Sequence, residues 1–349
     1  MALGMKFLKW TLFMLVALTS VGILFAWQNG THLYNKQPTR QESTDIGTDD
    51  VRPFASAYIG TSYPLMTEVK NDTLVIYNRV SKCASTTMTW TLKTMQLINH
   101  FHVSTENMPL IQMEFNKQER KEFAERLLSL PRDTVFVRHF YFVNFAEFGL
   151  RNPIYINIIR NPVDRFISRY YYARYGFKKT KKSNVLWPKI PISFRRMNTT
   201  LEECVLTNVT KCFEVELYKP MMMFFCGDHF NPRCGTLSRF AVERSIENIQ
   251  KHYLVVGLVE DFPNTFKVFE KLLPRYFEGS WKKFQISPEK NLSKSSHRKE
   301  PSENVKKVLK IALKTEIEFY EFVKKRFYEQ LIRLRELKMI TDDNDSTTT

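Results

Sequence analysis

Apolar residues along this chain alternate between short β-like runs and stripes at helical spacing. The first run, Leu74–Tyr77, is followed by Met88, Leu92, Met95 and Ile98, which predicts a strand, a turn and a helix over Thr86–Asn99. His100–Ser104 reads as a second short strand, and Gln118–Leu130 as a mixed-charge helix stopped by Pro131. Thr134–His139 and Ile154–Ile159 are β-rich runs flanked by turn signals. Pro162 then stands at the first position of a helix, where its missing N–H costs nothing, and Val163, Phe166, Ile167 and Tyr170 form that helix's apolar stripe. Tyr253–Val259 reads as another strand running into a helix over Asn264–Leu273. Ser302 caps one long C-terminal helix with a stripe through Val305, Val308, Leu309, Ala312, Phe319, Val323 and Phe327. Strands alternating with helices in this way predict an α/β fold, a central parallel sheet flanked by helices on both faces.

The ends of the chain follow other patterns. Lys6 and Lys9 precede an apolar stretch from Trp10 to Trp27, which predicts a cytosolic tail (1–9) and a transmembrane signal anchor (10–27) with the remainder in the lumen. A cleaved signal peptide is the competing reading; the stretch is longer than a usual apolar core of such peptides and ends in bulky residues. Residues 28–64 are polar and aperiodic and read as a stem, 65–335 as the folded lumenal domain, and 336–349 as a disordered tail.

Composition narrows the function. Twenty-eight Phe and 15 Tyr exclude a disordered chain. A formal charge of +16 is unevenly spread, and between Arg174 and Arg196 eight basic residues occur with no acid, a segment that would attract a polyanion; a solvated loop reads the same. Lumenal placement disfavours nucleic acid and points to anionic lipid or an acidic polysaccharide. In that compartment Cys204 with Cys212 and Cys226 with Cys234 are expected to form disulfides, leaving Cys83 alone; the spacing is too wide for a zinc knuckle. Asn71, Asn198, Asn208 and Asn291 head N-glycosylation sequons, as do Asn29, too near the membrane, and Asn344.

The segment Arg79-Val80-Ser81-Lys82-Cys83-Ala84-Ser85-Thr86-Thr87 carries the first candidate chemistry. A strand that turns over lysine and hydroxyls into a helix N-terminus can hold a phosphate through free backbone N–H groups, the helix dipole and the ammonium. An ordinary turn with a solvated lysine reads the same. The loop lacks the glycines of a nucleoside-triphosphate loop, which disfavours a nucleotide kinase. A second turn, Arg160-Asn161-Pro162, leads toward Ser168 from the end of another strand. Two such turns on one sheet suit a nucleotide with phosphates at both ends.

Several ordered motifs then share one resemblance. Tyr77-Asn78-Arg79-Val80-x-Lys82-Cys83-x-Ser85, Arg138-His139 with Asn144-Phe145, and Tyr155-Ile156-Asn157-Ile158-Ile159-Arg160-x-Pro162-Val163-x-Arg165-Phe166 resemble the uronyl 2-O-sulfotransferases. Phe224-Phe225-Cys226-Gly227, Pro232-Arg233-Cys234 and Leu254-Val255-Val256-Gly257-Leu258-Val259-Glu260 are similar too, so the likeness covers Leu74 to Phe327. Heparan sulfate 2-O-sulfotransferases and Pipe-type enzymes share the outline; Cys83 and Arg138-His139 are closer to the uronyl branch acting on dermatan and chondroitin sulfate.

The resemblance implies a P-loop-like sulfotransferase fold and a Golgi membrane enzyme, single-pass type II. It implies transfer of sulfate from 3′-phosphoadenosine 5′-phosphosulfate to the 2-OH of a hexuronic acid in a glycosaminoglycan, without a metal. Arg79, Lys82, Ala84, Ser85, Thr86 and Thr87 are expected to hold the 5′-phosphosulfate, with Lys82 also stabilising the leaving oxygen. Arg160 and Ser168 are expected at the 3′-phosphate, and Lys294 and Arg298 in a loop closing over the donor. His139 is the expected base. The heparan enzymes' second histidine falls on Val137 here, and the uronyl type's falls on Tyr141. Arg79, Arg174, Lys178 and Lys179 are the expected acceptor-binding residues, and the heparan relatives imply a homotrimer. A heparan or Pipe-like glycoprotein acceptor is the first alternative. An inactive polysaccharide-binding protein is a further one, disfavoured by Lys82, Arg160, Ser168 and His139 occurring together.

Overall fold

Val75–Asn78 (β1), His102–Ser104 (β2), Thr134–Arg138 (β3), Ile154–Ile159 (β4) and Tyr253–Leu258 (β5) form one sheet in the order β2-β3-β1-β4-β5. Every pairing is parallel. The computed structural model describes residues 74–105, 115–175, 198–227, 232–287 and 297–340. Every residue of β1 and β3 is buried, as a parallel sheet covered on both faces requires.

Strand order creates the site. β1 lies between β3 and β4, with Val75 opposite both Val135 and Ile154. The chain leaves β1 toward the β2–β3 side and leaves β4 toward β5, so adjacent strands send their loops in opposite directions. A crevice opens beyond strand ends at such a switch. Buried amides brace its floor: Asn157 Nδ2 donates to Asn78 O (2.6 Å) and Oδ1 (2.9 Å), Tyr253 OH to Asn78 Oδ1 (3.0 Å), and Asn78 Nδ2 to Phe224 O (3.0 Å).

The first helix is Ser85–Asn99, the second Lys117–Leu128, and Pro162 does open the helix Pro162–Tyr175. The described part of the segment after it is largely helical. Leu201–Val215, Met222–Cys226 and Arg239–His252 are helices. Both expected disulfides are present, Cys204–Cys212 and Cys226–Cys234. Eight residues of regular helix rise about 12 Å, yet the Cα atoms of Cys204 and Cys212 are 5.3 Å apart. The chain achieves this by leaving the helical conformation at Asn208 (φ −162°, ψ 98°). Asn208 Oδ1 then accepts from Lys211 N (2.9 Å), so it starts the second segment as it ends the first. Gly227, φ +81°, permits a close approach: a Cβ there would lie 2.5 Å from Phe142 O.

The expected single C-terminal helix is two, Glu303–Ala312 and Lys314–Glu336, separated at buried Leu313. Val305, Leu309 and Leu313 pack in a cluster with Phe166, Tyr170, Leu201 and Val205, whereas Phe319, Val323 and Phe327 belong to the main core. One stripe serves two cores, and the break lies between them. Met339 and Ile340, inside the expected tail, pack partly buried against the main core. Among the described residues no helix is long and apolar enough to cross a membrane; the expected anchor at 10–27 and stem at 28–64 lie outside them.

Candidate active site

The turn after β1 is held in an unusual shape. Arg79 N donates to Arg138 O (2.8 Å), extending the ladder, and then Lys82 (φ 65°) and Ala84 (φ 52°) adopt left-handed backbone. Each non-glycine residue held there costs on the order of 1–3 kcal/mol. Ala84 is the N-cap of helix Ser85–Asn99 and has no acceptor to offer, and no acid stands in the first turn. The first N–H groups of that helix have no intrahelical partner and create positive potential. Asn116, Thr200, Ser238, Asp261 and Ser302 each cap their helix with a side chain. Ser85 and Thr87 are buried beside the uncapped end, Thr86 is half-buried, and Arg79 Nη2 donates to Ser85 Oγ (3.3 Å).

The turn after β4 works differently. Asn161 Oδ1 accepts from Val163 N (3.0 Å) and Asp164 N (3.3 Å), capping helix Pro162–Tyr175. Asn161 N donates in turn to Glu260 Oε1 (2.7 Å), whose Oε2 accepts from Tyr320 OH (3.1 Å). This helix end is therefore satisfied internally, and the side chains beside it are half-buried Arg160 and buried Ser168.

Positive charge is crowded between the two turns. Lys82 Nζ lies 3.7 Å from the centroid of the Tyr172 ring. Burial first, then Arg169 and Arg160, lower the Lys82 ammonium to about 7. Burial and Arg298 likewise lower Arg160. Arg298 Nη2 is paired with Asp164 Oδ1 at 2.8 Å. A multiply charged anion among Lys82, Arg160 and Arg169 would relieve this repulsion.

His139 joins the loop from the neighbouring strand. Its Nδ1 lies 2.8 Å from Arg79 O. A carbonyl only accepts, so the proton is on Nδ1 and Nε2 carries a lone pair. Burial, then the Arg79 charge, lower the imidazole from 6.5 to about 3, so it is neutral at physiological pH. A neutral imidazole with a fixed tautomer has the form a general base needs. Tyr141, the position of the missing histidine, is buried and accepts from Lys219 Nζ (3.1 Å). Val137 is a core residue of β3.

One expectation changes. Arg174 was expected to bind acceptor, but its side chain is 1% exposed and pairs with the equally buried Glu216 at 2.8 Å. The guanidinium also lies 3.5 Å from the Tyr170 ring centroid, so Arg174 is spent on packing the helix. Cys83 is fully buried with Sγ 3.8 Å from Met221 Sδ, and burial pushes its thiol up to about 12, a packing role. Lys178, Lys179, Lys294, Asn71 and Asn291 lie outside the described residues. Among the described residues no group of three His, Cys, Asp or Glu side chains is placed to hold a metal.

Sequence reasoning passed over Arg169, Tyr172, Asn161 and Glu260. A signal existed for one of them: Arg165, Ser168 and Tyr172 recur at helical spacing, so they share a face of the helix that begins at Pro162. Glu260 gave none, because its contact with Asn161 spans 99 residues.

The model of the sulfotransferase family matches residues 66–323. The chain is 32% identical over 259 residues to a uronyl 2-sulfotransferase of Homo sapiens, covering 73% of this chain and 62% of that protein. It is 29% identical over 318 residues to the uronyl 2-sulfotransferase homolog pip of Drosophila melanogaster, covering 86% and 61%. It is 28% identical over 325 residues to heparan sulfate 2-O-sulfotransferase 1 of Xenopus laevis, covering 90% and 87%. The matches to the uronyl relatives thus span about three-fifths of those proteins. With the matched region running from before β1 into the last helix, the chain belongs to the sulfotransferase family.

Proposed function

We propose that this protein transfers sulfate from 3′-phosphoadenosine 5′-phosphosulfate to the 2-OH of a hexuronic acid in a glycosaminoglycan, with dermatan or chondroitin sulfate as the acceptor. The relatives' names support the reaction class, and one observation carries it: the His139 Nδ1–H bond to the Arg79 carbonyl, which ties a neutral base to the loop bearing Lys82. A base for a hydroxyl and a cation for a leaving oxygen are the two groups this displacement requires.

The residues fit the donor. An uncapped helix end and mutually repelling cations suit a ligand with anions at both ends. Arg79, Lys82 and the N–H groups at Ala84, Ser85, Thr86 and Thr87 would hold the 5′ end, and Arg160 with Ser168 the 3′-phosphate. The donor supplies a sulfuryl group on a phosphate leaving group. His139 Nε2 takes the proton of the acceptor hydroxyl, and the Lys82 ammonium faces the oxygen on which charge accumulates. Arg298 is the proposed donor contact of the closing loop, with Lys294. Arg79, Lys178 and Lys179 remain the proposed acceptor contacts. The protein would work in the Golgi lumen, anchored through residues 10–27.

A heparan acceptor is the second reading, favoured by the 87% coverage of the heparan relative. Incubating the full chain with radiolabelled donor and a panel of desulfated glycosaminoglycans, followed by disaccharide analysis, separates the two. Label in dermatan or chondroitin disaccharides supports the first reading, and label only in heparan disaccharides replaces it.

Arg160→Ala removes charge-assisted hydrogen bonds worth about 1.5–3 kcal/mol, so calorimetry should find the desulfated nucleotide bound about 10- to 100-fold more weakly. The wild-type affinity should also fall as salt is raised. Asn198 and Asn208 are exposed, and Asn208 has its Oδ1 on Lys211 N. Expression in a secretory host should place a glycan on Asn208, and intact-mass measurement should find Asn208→Gln lighter by one glycan.

A further inference from the structure

We infer that the buried Arg165–Glu316 ion pair is a positioning device for Lys82, holding the donor loop in the shape that presents the ammonium. The inference deepens the transferase reading and rests on it. Arg165 Nε donates to Ser81 O at 3.0 Å, on the residue immediately before Lys82. Its Nη1 donates to Tyr218 OH (2.8 Å) and Glu316 Oε1 (2.9 Å), and its Nη2 to Lys219 O (2.5 Å). Glu316 receives Tyr218 OH on Oε2 and Met221 N on Oε1, both at 2.9 Å. Three donors on two oxygens suit an ionised carboxylate and oppose the burial that raises Glu316 above the ordinary carboxylate range. The side chains are 2% and 0% exposed.

Stability alone does not explain the pair, since apolar residues of the same volume often stabilise a core as well or better. Apolar residues cannot hold a backbone carbonyl. The Ser81 carbonyl is one end of the peptide that leads into left-handed Lys82, and turning that peptide would break the Arg165 bond. The network also reaches toward the base. Lys219, whose carbonyl accepts from Arg165, donates its ammonium to Tyr141, two residues beyond His139. One guanidinium thus registers the donor loop against the segment that follows β3. Arg165 and Glu316 touch neither reactant in this reading; they act through Lys82.

The test uses the full chain with Glu316→Gln, which neutralises the carboxylate, and Tyr218→Phe, which removes one hydroxyl, keeps the pair and folds more readily. In the transfer assay Glu316→Gln should lower kcat by about 10²-fold, the scale of a group displaced by an ångström, and Tyr218→Phe by less. The donor KM and the affinity for desulfated nucleotide should change far less than kcat. In a Lys82→Ala background neither substitution should lower kcat further. Losses that multiply with Lys82→Ala, or that follow nucleotide affinity, overturn the inference. Trace acetylation of Lys82 against pH provides a readout free of turnover. Its midpoint should move in both variants, and an unmoved midpoint overturns the inference. A wild-type chain with no transfer activity removes the transferase reading instead and leaves the midpoint to decide the clamp.

Discussion

Replacing His139 by alanine should lower turnover by about 10²–10⁴-fold, the usual contribution of a positioned base. Affinity for the desulfated nucleotide should remain within a few fold, because the proposed donor contacts lie on other residues. His139→Asn separates chemistry from packing: an amide can still donate to the Arg79 carbonyl but cannot accept a proton at neutral pH. Turnover should be lost in both variants, and near-normal turnover in either removes His139 as the base. The pH dependence has a definite sign. Burial and Arg79 hold the folded imidazole at about 3 against an ordinary 6.5. Between those values the unfolded chain binds the extra proton, so stability is fully present above 6.5 and declines as pH falls toward 3. Thermal unfolding at pH 7 and pH 5 should differ less in His139→Asn than in the wild type.

Lys82→Ala should cost about 10²–10³-fold in kcat, the cost of removing one preorganised group from a developing negative charge. The loss should fall on chemistry more than on binding of the desulfated nucleotide. Lys82→Arg should not restore it, since a planar guanidinium is not a point charge on a flexible stem. A second signature distinguishes this lysine from a solvated one. Burial, Arg169 and Arg160 lower its ammonium to about 7, and an anion would draw it back toward its ordinary value. Nucleotide binding above pH 7 should therefore take up a proton, and affinity should weaken as pH rises through that value. Calorimetry in buffers of different ionisation enthalpy measures the uptake. No uptake in the wild type, or equal uptake in Lys82→Ala, contradicts the assignment.

How much of this was written in the sequence depends on the range of the interaction. Strand Ile154–Ile159 and the helix opening at Pro162 matched their expectations, because apolar runs and proline chemistry are local signals. Helix Arg239–His252 is legible too, with Val242, Ile246 and Ile249 buried at helical spacing behind the Ser238 cap. The break at Leu313 had no local marker, since it depends on which of two cores each half covers. Among site residues, the two turns were legible from residue type and order. Arg174 misled because a basic run does not reveal which member meets a buried acid, here Glu216, 42 residues away. The hub at Arg165 was hidden for the same reason, its carboxylate standing 151 residues later. Local chemistry nominated Lys82, and the family resemblance nominated His139; tertiary contacts supplied the tautomer, the crowded charge and the clamp.

Where the sulfate goes decides the assignment. Full-length protein is incubated with labelled 3′-phosphoadenosine 5′-phosphosulfate and desulfated dermatan, and the product is cleaved to disaccharides. Label is expected on the 2-O position of the hexuronic acid, absent with Lys82→Ala and with His139→Ala. Label confined to the hexosamine, or undiminished in those variants, would contradict it.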